Sequence, residues 1–113
     1  MSVDFSHGGL SVSGGNYAEF LRRIDLIIGS QGLERDPLVL LHDDEISSAL
    51  CLQLANRLKE VSPLFSEAQF FVPLRPGVVC DPDWPVERDQ YYAKKLAEGM
   101  IEAANRREPF VCS

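Results

Sequence analysis

Apolar residues recur at helical spacing in three stretches of the chain. In each stretch they fall at every third or fourth position, and charged residues occupy the opposite side, as in an amphipathic helix. The predicted helices cover residues 17–28, 45–61 and 86–105. Asn16 is expected to cap the first helix, and Gly29 and Gly32 are expected to end it. The side chains predicted to face the core are Tyr17, Phe20, Leu21, Ile24, Ile27 and Ile28 in the first helix, Ile46, Ala49, Leu50, Leu54, Leu58 and Val61 in the second, and Ala93, Leu96, Ala97, Met100, Ile101 and Ala104 in the third.

Short apolar runs outside these helices predict strands. The first two runs flank Ser-His-Gly-Gly, whose glycines adopt positive φ at little cost, and they predict an N-terminal hairpin. The predicted strands cover residues 3–5, 10–12, 37–41, 69–72, 77–80 and 110–112. Because strands and helices alternate, the fold class predicted is α/β, a layered sandwich in which three helices pack on a mixed sheet of about four to six short strands.

Composition limits the classes of partner. The 113 residues with 45% apolar content fit a single domain over residues 1–113. The formal net charge is −6, and the eleven basic residues are dispersed along the chain. Nucleic acids and anionic membranes bind clustered Lys and Arg, so neither is expected as a partner. An acidic surface instead suits a basic protein, whose approach it would steer.

Cysteine usage and the first residues of the chain predict a cytoplasmic location. The three cysteines are widely spaced and contain no Cys-x-x-Cys pair, so neither a disulfide framework nor a structural zinc site is expected. The first residues lack the basic and apolar regions of a signal peptide. The glycine-rich stretch 8–15 lacks the lysine of a phosphate-binding loop, and no cofactor is predicted.

Two acidic segments that follow predicted strands are the candidate functional residues. The first contains Asp43, Asp44 and Glu45, and the second contains Asp81, Asp83, Trp84 and Glu87. A purely structural role is open to the first segment, because Asp43 or Asp44 could cap the second helix and Glu45 could complement its dipole. If the two segments share one edge of the sheet, their carboxylates form a single negative patch with Trp84 as an interface anchor.

These observations favour a protein-binding module over an enzyme. The leading hypothesis is a small acidic inhibitor or immunity-type protein that neutralises a basic partner such as a toxin nuclease, whose phosphate ligand the patch would mimic. The partner-binding residues are then Asp43, Asp44, Glu45, Asp81, Asp83, Trp84 and Glu87. The acidic character of the chain and the order of its predicted strands and helices resemble those of barstar-like inhibitors, although the chain shares no sequence motif with that family.

The alternative is a metal-dependent phosphotransfer or hydrolytic enzyme. A strand that ends in Asp-x-Asp, together with an acidic residue at another strand end, resembles the metal site of Toprim-type domains. The resemblance implies that Glu45, Asp81 and Asp83 bind magnesium, although the flanking glycines of that family are missing here. A further alternative, a structural subunit or adaptor in a larger assembly, stays open, as does the oligomeric state.

Overall fold

The computed structural model describes residues 2–36, 38–68 and 85–112 of the chain. The strands predicted at 69–72 and 77–80 lie outside these residues. In chain order the elements are β1 (Ser2–Asp4), β2 (Ser11–Ser13), α1 (Gly14–Gln31), a 3-10 helix (Leu38–His42), β3 (Glu45–Ile46), α2 (Ser48–Val61), α3 (Leu64–Ala68), α4 (Val86–Asn105) and β4 (Phe110–Val111). The mixture of helices and strands agrees with the prediction, and α1, α2 and α4 are its three long helices.

The strands form two small antiparallel sheets. β1 and β2 make the predicted N-terminal hairpin, and β3 pairs with β4. A single bridge between Phe5 and Cys112 links the two sheets, and the Ser6 amide donates to the Val111 carbonyl at 2.9 Å. The prediction of one mixed sheet with four to six strands is therefore too large for the described part of the chain, in which the four strands are two or three residues long.

The apolar run predicted as a strand at 37–41 is a 3-10 helix over Leu38–His42. Three residues complete one turn of such a helix, so Leu38 and Leu41 face the same side. Both are buried, whereas Val39 between them is 50% exposed. In a strand buried on both faces, all three side chains would be buried. The exposure of Val39 therefore distinguishes the observed 3-10 helix from the predicted strand, and the prediction was wrong.

Helix α1 carries the predicted apolar stripe but begins earlier than expected. Ser13 is its N-cap, and the Ser13 hydroxyl accepts a hydrogen bond from the Asn16 amide at 3.2 Å. The expected cap by Asn16 was wrong, because Asn16 already lies inside the first turn. Gly29 is helical, and the helix ends at Gly32, whose φ of 66° is the left-handed conformation that favours glycine. Of the six predicted core residues only Leu21 is partly exposed.

Helix α2 begins three residues later than predicted. Glu45 and Ile46 pair with β4 instead of joining the helix, and Ser47 is the N-cap residue. The expectation that Asp43 or Asp44 caps this helix, with Glu45 in its first turn, was therefore wrong. The buried face also differs, because Ala49 and Leu50 are exposed. The residues of α2 that are buried are Cys51, Leu54, Ala55, Leu58 and Val61.

The core lies between the three long helices and the hairpin. Helix α4 has the predicted bounds, and Tyr92 on it is buried while Tyr91 is exposed. Gly99 of α4 lies against β4 and the hairpin turn, because a Cβ atom there would be 2.7 Å from the Phe110 ring and 3.0 Å from the Gly9 Cα. Within the described ranges, none of the helices has the length and apolar character that crossing a bilayer requires.

Candidate functional site

Carboxylates from two distant parts of the chain flank strand β4. Glu45 lies opposite Val111 in the β3–β4 pair, and the Asp44 carbonyl accepts a hydrogen bond from the Cys112 amide at 2.8 Å. On the other side, Asp4 of β1 precedes Phe5, the residue that bridges to Cys112. We call the group Asp4, Asp43, Asp44 and Glu45 the acidic edge.

The thiol of Cys112 lies in the field of carboxylates from both segments. Burial raises the pKa of this thiol, and the negative charges of Asp44 and then Asp4 raise it further. Carboxylates affect a neighbouring thiol in this way only when they lie close to it. Asp4 and Asp44, which are forty residues apart in sequence, therefore both act on this thiol.

The turn 43–45 is exposed. Asp43, Asp44 and Glu45 are all exposed, and none of them forms an ion pair with another residue in the described ranges. Four other carboxylates, those of Glu19, Glu60, Glu98 and Glu102, lie 2.7 to 3.9 Å from a basic side chain. The exposed carboxylates of Asp25, Glu34, Asp36 and Glu87 resemble the turn in having no ion pair within the described residues. The field of the acidic edge thus extends into solvent, where a cationic partner can meet it.

The remaining predicted site residues do not belong to this edge. Glu87 is exposed in the first turn of α4. It precedes Gly99, the contact point with β4, by about 18 Å along the helix axis. Asp81, Asp83 and Trp84 lie outside the described residues, so the convergence of the two acidic segments stays a prediction.

The predicted metal site is described only at Glu45. Among residues 2–36, 38–68 and 85–112, no group of three or more His, Cys, Asp or Glu side chains is placed to hold a metal ion. The other two predicted ligands, Asp81 and Asp83, lie outside those ranges. The metal-dependent hypothesis therefore remains a prediction from sequence, with no described side chain besides Glu45 to develop it.

A cluster around His7 supports the acidic edge, and sequence analysis missed it. The side chain of the turn residue His7 is only 10% exposed. Its Nδ1 is 2.7 Å from the Ser6 hydroxyl, and its Nε2 is 3.5 Å from a Glu108 carboxylate oxygen. The Ser6 hydroxyl also accepts a hydrogen bond from the Val111 amide at 2.9 Å. Because Ser6 holds a backbone amide of β4, it serves as a link between the hairpin turn and the acidic edge.

A buried ion pair joins α1 to α4. Asp89 is fully buried, and the Arg23 guanidinium donates to both of its carboxylate oxygens, one bond being Nη2 to Oδ1 at 2.8 Å. The Arg23 Nη1 also lies 3.8 Å from Glu19. The position of Asp89 on the inner side of α4, three residues before the core residue Tyr92 and three after the partly buried Val86, is the sequence signal that could have indicated it.

Comparison of the chain with protein-family models, with curated proteins and with solved structures gave no match. The candidate site is therefore described from the positions and contacts of its own residues alone. It consists of an exposed carboxylate turn held against β4 by backbone hydrogen bonds, next to a second carboxylate from β1.

Proposed function

We propose that this chain is a protein-binding module that recognises a basic partner through the acidic edge. The observation that carries the proposal is the exposed turn 43–45, which forms no ion pair within the described residues and flanks β4 opposite Asp4. The class of partner that best fits is a basic protein such as a toxin, and the module would then act as its inhibitor or immunity protein. The formal net charge of −6 would also attract a positively charged partner.

The backbone around the edge supports a recognition role. The Asp43 amide donates to the Leu40 carbonyl at 3.0 Å, and Asp44 is fixed by its hydrogen bond with Cys112. A turn that is already ordered loses little conformational freedom when it binds, which favours affinity. Val111 between the carboxylates is 37% exposed and supplies an apolar contact. Apolar contacts bordered by polar groups are typical of protein interfaces.

The test compares two variants with the same change in charge. D43N/D44N/E45Q neutralises the turn, and D25N/E34Q/D36N neutralises three exposed carboxylates elsewhere. Wild-type protein immobilised on a resin is used to isolate partners from the source cells, and the association rate of a purified basic partner is measured by surface plasmon resonance at several salt concentrations. We expect the first variant to slow association by about tenfold or more at low salt and the second to have a much smaller effect.

Two results would contradict the proposal. One is that wild-type protein retains no basic protein under conditions of low salt. The other is that both variants slow association equally, because the effect would then come from net charge and not from the acidic edge. A loss that disappears at high salt would be consistent with steering by exposed carboxylates.

A further inference from the structure

Helices α2 and α4 leave an apolar groove between them at the end where α2 stops and α4 starts. Its volume is about 500 Å³. Leu58 of α2 and the small residues Ala93 and Ala97 of α4 form its floor, and all three are buried. From Glu87 to Ala97 the groove follows α4 for about 15 Å. The groove shares no residue with the acidic edge, so a ligand bound in it would be independent of the proposed function.

Two lysines give the groove a charge opposite to that of the chain as a whole. Lys59 lines it from α2 and Lys94 lines it from α4. Neither lysine forms an ion pair with another residue of the described ranges, whereas the adjacent Lys95, which does not line the groove, is 3.9 Å from Glu98. Glu87, also at the groove, precedes Lys94 by about 10 Å along the axis of α4. The positive charge is thus concentrated beside the apolar floor.

We propose that this groove binds one amphipathic carboxylate of the fatty-acid class. The alkyl chain lies on Leu58, Ala93 and Ala97, and the carboxylate lies between the ammonium groups of Lys59 and Lys94. Small-molecule sites have volumes of roughly 300–1,000 Å³, an apolar lining and a few polar groups that fix the orientation of the ligand. The groove has each of these properties. The exposed ring of Tyr91 covers one side of the alkyl chain.

The test is a titration of ¹⁵N-labelled protein with dodecanoate below its micelle concentration, followed by amide chemical shifts. We expect saturable shifts at Leu58, Ala93 and Ala97. Dodecyltrimethylammonium, which has the same chain and the opposite charge, should bind at least about tenfold more weakly, because it lacks the ion pairs and meets two lysines. Saturable shifts located elsewhere, or equal affinity for the two amphiphiles, would overturn the proposal.

Matched variants distinguish the contribution of the lysine charges to dodecanoate binding from that of the apolar floor. K59Q/K94Q is expected to weaken dodecanoate binding by about twofold to thirtyfold, since each of the two exposed ion pairs contributes roughly 0.2–1 kcal/mol. K95Q removes a lysine of the same helix that lies outside the groove, and it should leave the affinity unchanged. A97L fills the floor and should abolish binding. Y91E changes an exposed side chain, so it tests the groove without disturbing the core, and it too should weaken binding. Equal effects of K59Q/K94Q and K95Q would refute the site, as would unchanged affinity in Y91E.

Discussion

The ion pair between Arg23 and Asp89 makes a quantitative prediction about stability. Replacing Arg23 with Met leaves the Asp89 carboxylate fully buried without its partner. Breaking a buried pair in this way typically costs about 3–5 kcal/mol. Because the Arg23 side chain is 11% exposed, water can replace part of the lost interaction, and we expect R23M to lower the free energy of unfolding by about 3 kcal/mol.

Two further variants distinguish the cost of removing one partner from the net contribution of the ion pair to stability. D89N keeps the shape of the side chain and leaves Arg23 near Glu19, 3.8 Å away, so we expect it to cost less than R23M. R23M/D89L replaces both charges by apolar groups, and such replacements of buried pairs are often neutral or stabilising. The double variant should therefore be within about 1 kcal/mol of the wild type.

The pH dependence of the R23M effect has a definite sign. Burial raises the pKa of Asp89, and the hydrogen bonds and charge of Arg23 oppose that rise. A carboxyl group with a higher pKa in the folded state binds its proton more tightly there, so stability falls as pH rises from about 4, the unfolded value, to the folded value. Without Arg23 the folded pKa is higher still. The destabilisation by R23M is therefore largest at neutral pH and smallest near pH 4.

Urea unfolding followed by far-UV circular dichroism, at pH 4 and pH 7, measures these differences. The m-value should be the same in all variants, so that a change in midpoint reports stability. A cost below about 1 kcal/mol for R23M at pH 7, or a double variant as unstable as R23M alone, would refute the reasoning. A greater loss at pH 4 than at pH 7 would contradict the sign.

Other predictions concern local contacts, and each is checked by the same unfolding measurement. G99A puts a methyl group into the close contact with the hairpin and should lower the free energy of unfolding by about 1–3 kcal/mol. G29A adds a Cβ within α1 that would meet no atom within 4 Å, so it should raise the free energy of unfolding by about 0.5–1 kcal/mol. Equal effects of the two would contradict the contact geometry. S13A removes the N-cap of α1 and should cost about 1 kcal/mol; no change would mean that the cap is not used. Y17F removes the hydrogen bond from the Tyr17 hydroxyl to the buried Leu41 carbonyl and should cost about 1–2 kcal/mol. Burial raises the pKa of Tyr17, so a spectrophotometric titration should show one phenol that ionises above the usual tyrosine value of about 10 and that is missing in Y17F. Its absence from the wild type would contradict the burial.

The run 37–41 shows where local pattern reading reaches its limit. Leu38 and Leu41 are buried at a spacing of three, but four apolar residues in succession fit a buried strand equally well. The choice depended on what the run packs against. The Tyr17 hydroxyl bonds to the Leu41 carbonyl, a contact between residues 24 positions apart that no local pattern contains.

The candidate site was predictable in part. Asp43, Asp44 and Glu45 were expected to be exposed, charged and available, and they are exposed. Their setting was not predicted, because Glu45 pairs with Val111, which lies 66 positions later in the chain. Asp4 joins the edge only through the bridge between Phe5 and Cys112. Likewise, the 66-residue separation of Arg23 and Asp89 hides their pairing from any periodicity.

The amino-acid sequence by itself determined the hairpin and the long helices α1 and α4 with their apolar faces. These features depend on residues within a few positions of one another, and spacing along the chain records such interactions directly. Tertiary structure alone decided the start of α2, the burial of Asp89 and the assembly of the acidic edge. Each of these depends on hydrogen bonds or electrostatic interactions between segments that are distant in sequence. The energy of such contacts outweighs local propensity only once the chain has folded.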